Sequence, residues 1–259
     1  MPPATTRILA LIAAFAFGAP AASAGEAAAR RVIGFSADGA NFALEEFGGS
    51  DPGMGGGNVH SFISIVDTAT NEILDDSVSA TLDGGGDDLL APLRHLAAQA
   101  ASAALGERKI GAPGRLIGAD ASSRAGDQFY YFDVWKVEKA AKATLDIQVP
   151  EIGGKARLAL DYEAPAKTSD EGEASSPTPP TFVLTLIKPD GKRLALTRAV
   201  ADPRASERGA FYKYAIAEAY LLPRKGQTPV IAAIVETFTQ GGEGADRNFI
   251  PVAIALPAP

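Results

Sequence analysis

No cysteine occurs anywhere in the 259 residues, which excludes disulfides, thiolate metal sites and a lipid anchor on an N-terminal cysteine. Histidine is nearly as scarce. His60 and His95 are the only two, and their separation is not that of a zinc motif, so a satisfied or solvent-facing side chain is the expectation for both. Basic charge is in deficit as well, with 24 Lys and Arg against 31 Asp and Glu and a formal net charge of −7. That balance disfavours nucleic acid and anionic membrane surfaces as partners. Long apolar runs are also missing: the best, Ile8 to Gly18, falls well short of the roughly 20 residues of a membrane-spanning helix.

What that run does provide is export. Arg7 supplies a positive start, Ile8 to Gly18 an apolar centre, and Ala22-Ser23-Ala24 the small-x-small pattern cut by a signal peptidase. The expectation is a signal peptide over 1–24 and a mature chain over 25–259, periplasmic or secreted, with no membrane span. Arg30 and Arg31 follow the cut rather than precede the apolar stretch, which favours the general unfolded-chain route over twin-arginine export. Removing 1–24 takes away one Arg and no acid, leaving the mature chain more acidic still.

The mature chain reads as one mostly β domain. Val32 to Ser36, Asp38-Gly39 and Asn41 to Phe47 form a hairpin pattern, because Asp-Gly tolerates the positive φ of a tight turn. Phe182 to Lys188, Asp190-Gly191 and Lys192 to Ala199 repeat it. Ser61 to Asp67, Gln128 to Glu138, Leu158 to Glu163, Ala210 to Leu222 and Pro229 to Phe238 read as further strands, rich in aromatic and β-branched residues. One helix stands out near 87–105. Asp87 or Asp88 can cap it, Leu89, Leu90, Leu93, Leu96, Ala97, Ala100 and Ala104 recur at helical spacing, and Gly106 is placed to stop it. The segment 164–180, rich in Pro, Ser, Thr and acids, is expected to be a flexible loop.

A weak internal repeat links the two ends of the mature chain. Ala43 to Gly48, a Gly-rich loop and Phe62 to Val66 parallel Ile234 to Phe238, a Gly-rich loop and Phe249 to Ala253. The opening motifs Gly34-Phe35-Ser36-x-Asp38-Gly39, Phe42-Ala43-x-Glu45-Glu46-Phe47-Gly48 and Ile63-x-x-Val66-Asp67-Thr68, with the closing block from Val230 to Ala255, resemble a bacterial family of predicted secreted proteins of unknown function. The resemblance implies secretion and brings no catalytic residues with it. The opening also resembles a propeller blade of the Phe-Ser-Pro-Asp-Gly type, with Ala37 in place of Pro. A closed propeller needs about four or more blades, and only two such hairpins are present. The fold expected is therefore all-β, mainly antiparallel, a sandwich or an incomplete propeller-like hairpin assembly, with one inserted α-helix.

No nucleophile motif is complete. Gly34-Phe35-Ser36-Ala37-Asp38 lacks the closing Gly of a nucleophile elbow, and Ser36 reads as a turn residue. Carboxylates are the abundant functional groups. Glu45 and Glu236 hold matching repeat positions, and paired acids facing one cleft are what glycoside hydrolysis requires. Acids on solvent-facing edge strands, where they oppose aggregation, are the commoner use. Asp83, Asp87 and Asp88 bracket a Gly run that can offer oxygens to Ca²⁺, although turn and cap duty already accounts for it and no cofactor is otherwise implied. Phe129 to Trp135 concentrates aromatics on both strand faces, with Tyr131 and Trp135 as candidates to stack on a ligand, or else as core. A non-enzymatic periplasmic binding or interaction module, with an envelope protein or small ligand as partner, is the leading expectation. An envelope carbohydrate-active hydrolase using Glu45 and Glu236 is the alternative.

Overall fold

The computed structural model describes residues 28–49, 57–84, 86–124, 142–162, 181–207, 211–240 and 245–256. The expected signal peptide, the aromatic segment with Tyr131 and Trp135, and the 164–180 loop lie outside the described residues. The chain is mostly antiparallel β, with three sheets and one long helix among the described residues.

The first sheet contains β1 (Ala29–Ser36), β2 (Asn41–Gly49), β3 (Asn58–Asp67), β4 (Val78–Asp83) and β5 (Ile110–Ala112) in the order β4-β3-β2-β1-β5. Its opening hairpin is built as the Asp-Gly pair requires. Gly39 sits at φ 72°, the Ser36 hydroxyl donates to the Asp38 carboxylate at 2.6 Å, and the Ala40 N–H donates to the same group at 3.0 Å. Ser36 is thus a turn residue. At Gly34 the strand bulges, and a Cβ there would come within 2.6 Å of the Ala112 carbonyl, so the missing side chain lets β5 close on β1.

The helix α1 (Leu90–Glu107) packs on the outer face of this sheet, following a single 3₁₀ turn over Asp87–Leu89. Its sequence signature is only partly realised. No side chain caps its N-terminus, and it runs through Gly106 to end at Arg108, with Lys109 taking the left-handed conformation at φ 52°. The buried stripe is Leu93, Ala97 and Ala101 against Ile63, whereas Leu96 is 60 % exposed.

The central sheet has the order β13-β12-β11-β6, from β6 (Arg115–Ala119), β11 (Phe211–Leu222), β12 (Val230–Gln240) and β13 (Ala245–Ala255). A one-turn helix, α2 (Ala121–Arg124), follows β6. The remaining sheet, β10-β9-β8-β7, contains β7 (Lys142–Val149), β8 (Gly154–Tyr162), β9 (Phe182–Ile187) and β10 (Arg193–Ala195). Alternation along β12 shows how the three stack. Ile231, Ala233 and Val235 join Leu158, Leu160 and Leu184 of the β7–β10 sheet in one core, while Val230, Ala232 and Ile234 join Phe35, Phe42 and Leu44 of the first sheet in another. The central sheet is therefore covered on both faces, which is why Val230 to Val235 is an unbroken apolar run. Of the two arrangements the sequence allowed, the described sheets take the stacked one.

β13 ends the central sheet, yet its outward edge is occupied. The Phe249 N–H donates to Glu46, the Ala253 N–H to Asn71 at 2.8 Å, and the Ala255 N–H to the Thr68 carbonyl at 3.1 Å. Ala28 donates to the Arg247 carbonyl at 3.1 Å. Pro251 has no N–H to offer. The edge is thus closed to further strands.

Candidate functional site

Adjacent residues on a strand face opposite sides of a sheet, so Arg30-Arg31 on β1 and Glu45-Glu46 on β2 each split across the first sheet. The register pairs Arg31 with Glu45 and Arg30 with Glu46. Two separate charge clusters result.

On the α1 side, Glu45 is 1 % exposed and accepts hydrogen bonds from four donors. Arg94 of α1 grips it with Nε at 2.8 Å and an Nη at 3.0 Å, Arg31 donates at 2.7 Å, and the Ser61 hydroxyl donates at 3.2 Å. The Arg94 guanidinium also lies 3.4 Å from the Phe47 ring centroid. Burial pushes the Glu45 carboxyl up, but the Arg94 hydrogen bond and the charges of Arg31 and Arg94 outweigh it and hold the group below its ordinary value. The cluster fastens the helix to the sheet.

The other cluster lies between the first and central sheets. Glu46 meets Arg204 at 2.7 Å and His60 at 3.8 Å. Glu218 meets Arg30 at 3.1 Å and accepts the Tyr220 hydroxyl at 2.6 Å. Glu236 lies 3.9 Å from Arg30 and accepts a short hydrogen bond from Ser123 of α2. Arg247 donates to the Ser123 carbonyl at 3.5 Å and the Ala28 carbonyl at 3.2 Å. At the centre, the Phe249 ring has the Arg30 guanidinium 4.6 Å and the Arg247 guanidinium 5.5 Å from its centroid. Glu46, Glu218, Glu236 and Arg247 are all under 8 % exposed. Three carboxylates, Glu46, Glu218 and Glu236, meet three guanidiniums, Arg30, Arg204 and Arg247, between the two sheets, and the formal charges of these six cancel. Burial pushes the Glu236 carboxyl up, and Asp120 adds to the rise; the Ser123 hydrogen bond and the charges of Arg247 and Arg30 only moderate it.

Because Arg30 serves Glu236 and Arg31 serves Glu45, the two acids stand on opposite sides of the first sheet. They do not face one cleft, and the paired-carboxylate hydrolase reading loses the geometry it requires. Both are inward, engaged side chains, not the solvent-facing edge acids that strand statistics favour. His60, on β3, is buried and stacks on Phe62 at 4.8 Å; His95 is exposed on α1. Asp83 and Asp88 are exposed, the Asp87 side chain lies outside the described residues, and no group of three potential metal ligands occurs among the described residues. Arg94, Arg204, Glu218 and Arg247 did not figure in the sequence reading, and Arg30 entered it only through the export route. A signal existed for Glu218, a lone charge inside Ala215-Ile216-Ala217-Glu218-Ala219, since a charge in a doubly covered strand demands an internal partner.

Residues 43–255 match a family model described as "Predicted secreted protein (DUF2259)". The chain belongs to this family. No curated protein and no solved structure matches it. DUF2259 membership makes the chain a predicted secreted protein of unknown function, in agreement with the export pattern of its first residues. The DUF2259 match spans both halves of the inter-sheet cluster except Arg30, which precedes it.

The two perturbed carboxyls predict opposite pH slopes. The folded pKa of Glu45 is depressed, so its contribution is complete above the ordinary carboxylate value and is lost as pH falls below that value. That of Glu236 is raised, so its ionisation costs stability as pH climbs from the ordinary value through the folded one. In urea titrations across this range, Glu45→Gln should narrow its deficit against the parent as pH falls. Glu236→Gln should improve relative to the parent as pH rises. Parallel curves for parent and variants would contradict both assignments.

Proposed function

We propose that the protein is an exported, non-enzymatic binding or interaction module whose ligand or partner enters a recess beside β13. The observation that carries this reading is a concavity of about 870 Å³ between the turn at 69–73, the segment 195–203 and the β13 residues Ile250, Pro251 and Ile254. Its size lies within the range of small-molecule sites. Its walls mix hydrogen-bonding groups, Asn71, Glu72, Thr197 and Arg198, with the apolar Ile73, Val200 and Pro251, a lining that orients a ligand as well as desolvating it. Because the adjoining strand edge is capped, the occupant is held by side chains rather than by adding a strand. The state of the buried acids supports the same reading. A general acid or base must reach the proton it moves, and Glu45, Glu46 and Glu236 are buried and bonded to guanidinium or hydroxyl groups.

The test is a photo-crosslinking amino acid at Thr197, in the recess, and at Asp190, on an exposed turn, in cells exporting the full chain. A discrete adduct from Thr197 alone is the expected result. Equal labelling at both positions, or none at either, would remove the recess from consideration.

A further inference from the structure

We propose that the protein pairs with a second copy of itself, β4 against β4 in antiparallel fashion, continuing the first sheet across a two-fold axis. The strand supplies the first ground. β4 pairs with β3 in unbroken register on one side, and no backbone group bonds its other side among the described residues. Edge protection is slight: Val78-Ser79-Ala80-Thr81-Leu82-Asp83 has no Pro, no Lys and no bulge, and its one charge, Asp83, stands at the end of the strand. The contrast with β13, capped at alternate residues and interrupted by Pro251, shows that the fold closes an edge where closure is needed.

Charge says what covers β4. A chain with net charge −7 repels its own copy over most of its surface, and a self-contact is cheapest on a neutral face. Such a face adjoins this strand. From Ala91 to Ala103 the exposed residues of α1, among them His95, Leu96, Gln99 and Ala100, have no formal charge, the exposed Glu107 lying at the far end of the helix, and α1 packs on β4 through Ala97, Ala101, Val78 and Ala80. Leu82 at 42 % and Leu96 at 60 % are two of the three large apolar side chains left exposed among the described residues. Antiparallel pairing centred on Thr81 sets the one charged residue, Asp83, opposite Ser79 of the second copy, where parallel pairing would oppose like charges. It also brings both α1 helices to the same side of the continuous sheet. A strand edge about 20 Å long beside a helix about 10 Å wide offers a few hundred Å² per copy, below the roughly 800 Å² of a standard interface. The affinity expected is therefore micromolar rather than nanomolar.

The absence of native cysteine makes the test clean. Thr81→Cys in the mature chain should oxidise to a covalent dimer at tens of micromolar, while Asp190→Cys, on a distant exposed turn, should not. Sedimentation from about 1 to about 200 µM, a range that brackets a micromolar Kd, should show the parent converting to dimer. Leu82→Lys and Leu96→Glu should each weaken that conversion at least tenfold; both sites are exposed, so circular dichroism should confirm that the fold is kept. A parent that stays monomeric throughout, a dimer indifferent to both substitutions, or crosslinking equal at positions 81 and 190 would overturn the proposal. A β4 edge that captures a different protein's strand would appear as a monomeric parent and count against it.

Discussion

Glu46→Ala should cost about 3–5 kcal/mol of folding stability, the range for removing one partner from a buried ion pair. Glu46 is 2 % exposed and is the acceptor for both Arg204 and the Phe249 N–H. Its removal leaves a guanidinium charge and a strand-edge N–H buried together without their anion. For a domain of this size the loss corresponds to a fall in Tm of about 10 °C. The double variant Glu46→Ala/Arg204→Ala should lose less than the sum of the single changes, because the second removes the stranded charge. Urea unfolding of the four proteins measures this directly. A Glu46→Ala cost under about 1 kcal/mol would mean that the cluster is solvated in the way exposed ion pairs are.

Phe249→Ala should cost a further case of about 3–5 kcal/mol, the usual span for emptying a buried aromatic site. Phe249 is 1 % exposed and fills the space between the two guanidiniums of Arg30 and Arg247. Phe249→Leu separates volume from charge. Leucine restores most of the packing but has no ring face, so its remaining deficit, about 1–2 kcal/mol for two desolvated cation–π contacts, reports on the arginines. If Leu restores full stability, the guanidiniums rest near the ring without being held by it.

Both Asp-Gly hairpins were legible in sequence because their information is local: the turn needs a positive φ and the pair provides it. The same holds for the mostly β character and for the helix, whose period is plain even though its cap and buried stripe differ from expectation. β7 was equally legible and lay outside the strands expected, although Ala143, Leu145, Ile147 and Val149 alternate with Thr144, Asp146 and Gln148. β4 alternates as well, Val78, Ala80 and Leu82 against Ser79, Thr81 and Asp83, and also lay outside the strands expected, whereas β6 is short and has no such pattern. The stacking order of the sheets was half visible. Val230 to Val235 has no polar break, which is the mark of a strand covered twice, but nothing local says by what. The inter-sheet cluster was not legible as a set. That Glu45 and Glu46 face opposite ways follows from alternation alone, whereas the choice of Arg94 for one and Arg204 for the other depends on contacts 49 and 158 residues apart.

The capped edge of β13 also bears on the order in which the chain can fold. The groups that close it lie far back in the sequence, 203 residues away for Glu46 and 182 for Asn71. Until β11 and β12 have been synthesised the opening hairpin lacks most of its central-sheet face, and until β13 has been made it lacks the N–H that Glu46 requires, so early folding gains little from the N-terminal half. Such high contact order slows the search for the native state. For a chain read as crossing a membrane unfolded, delay is an advantage: the segments emerging first stay open, and the last strand made commits the whole stack.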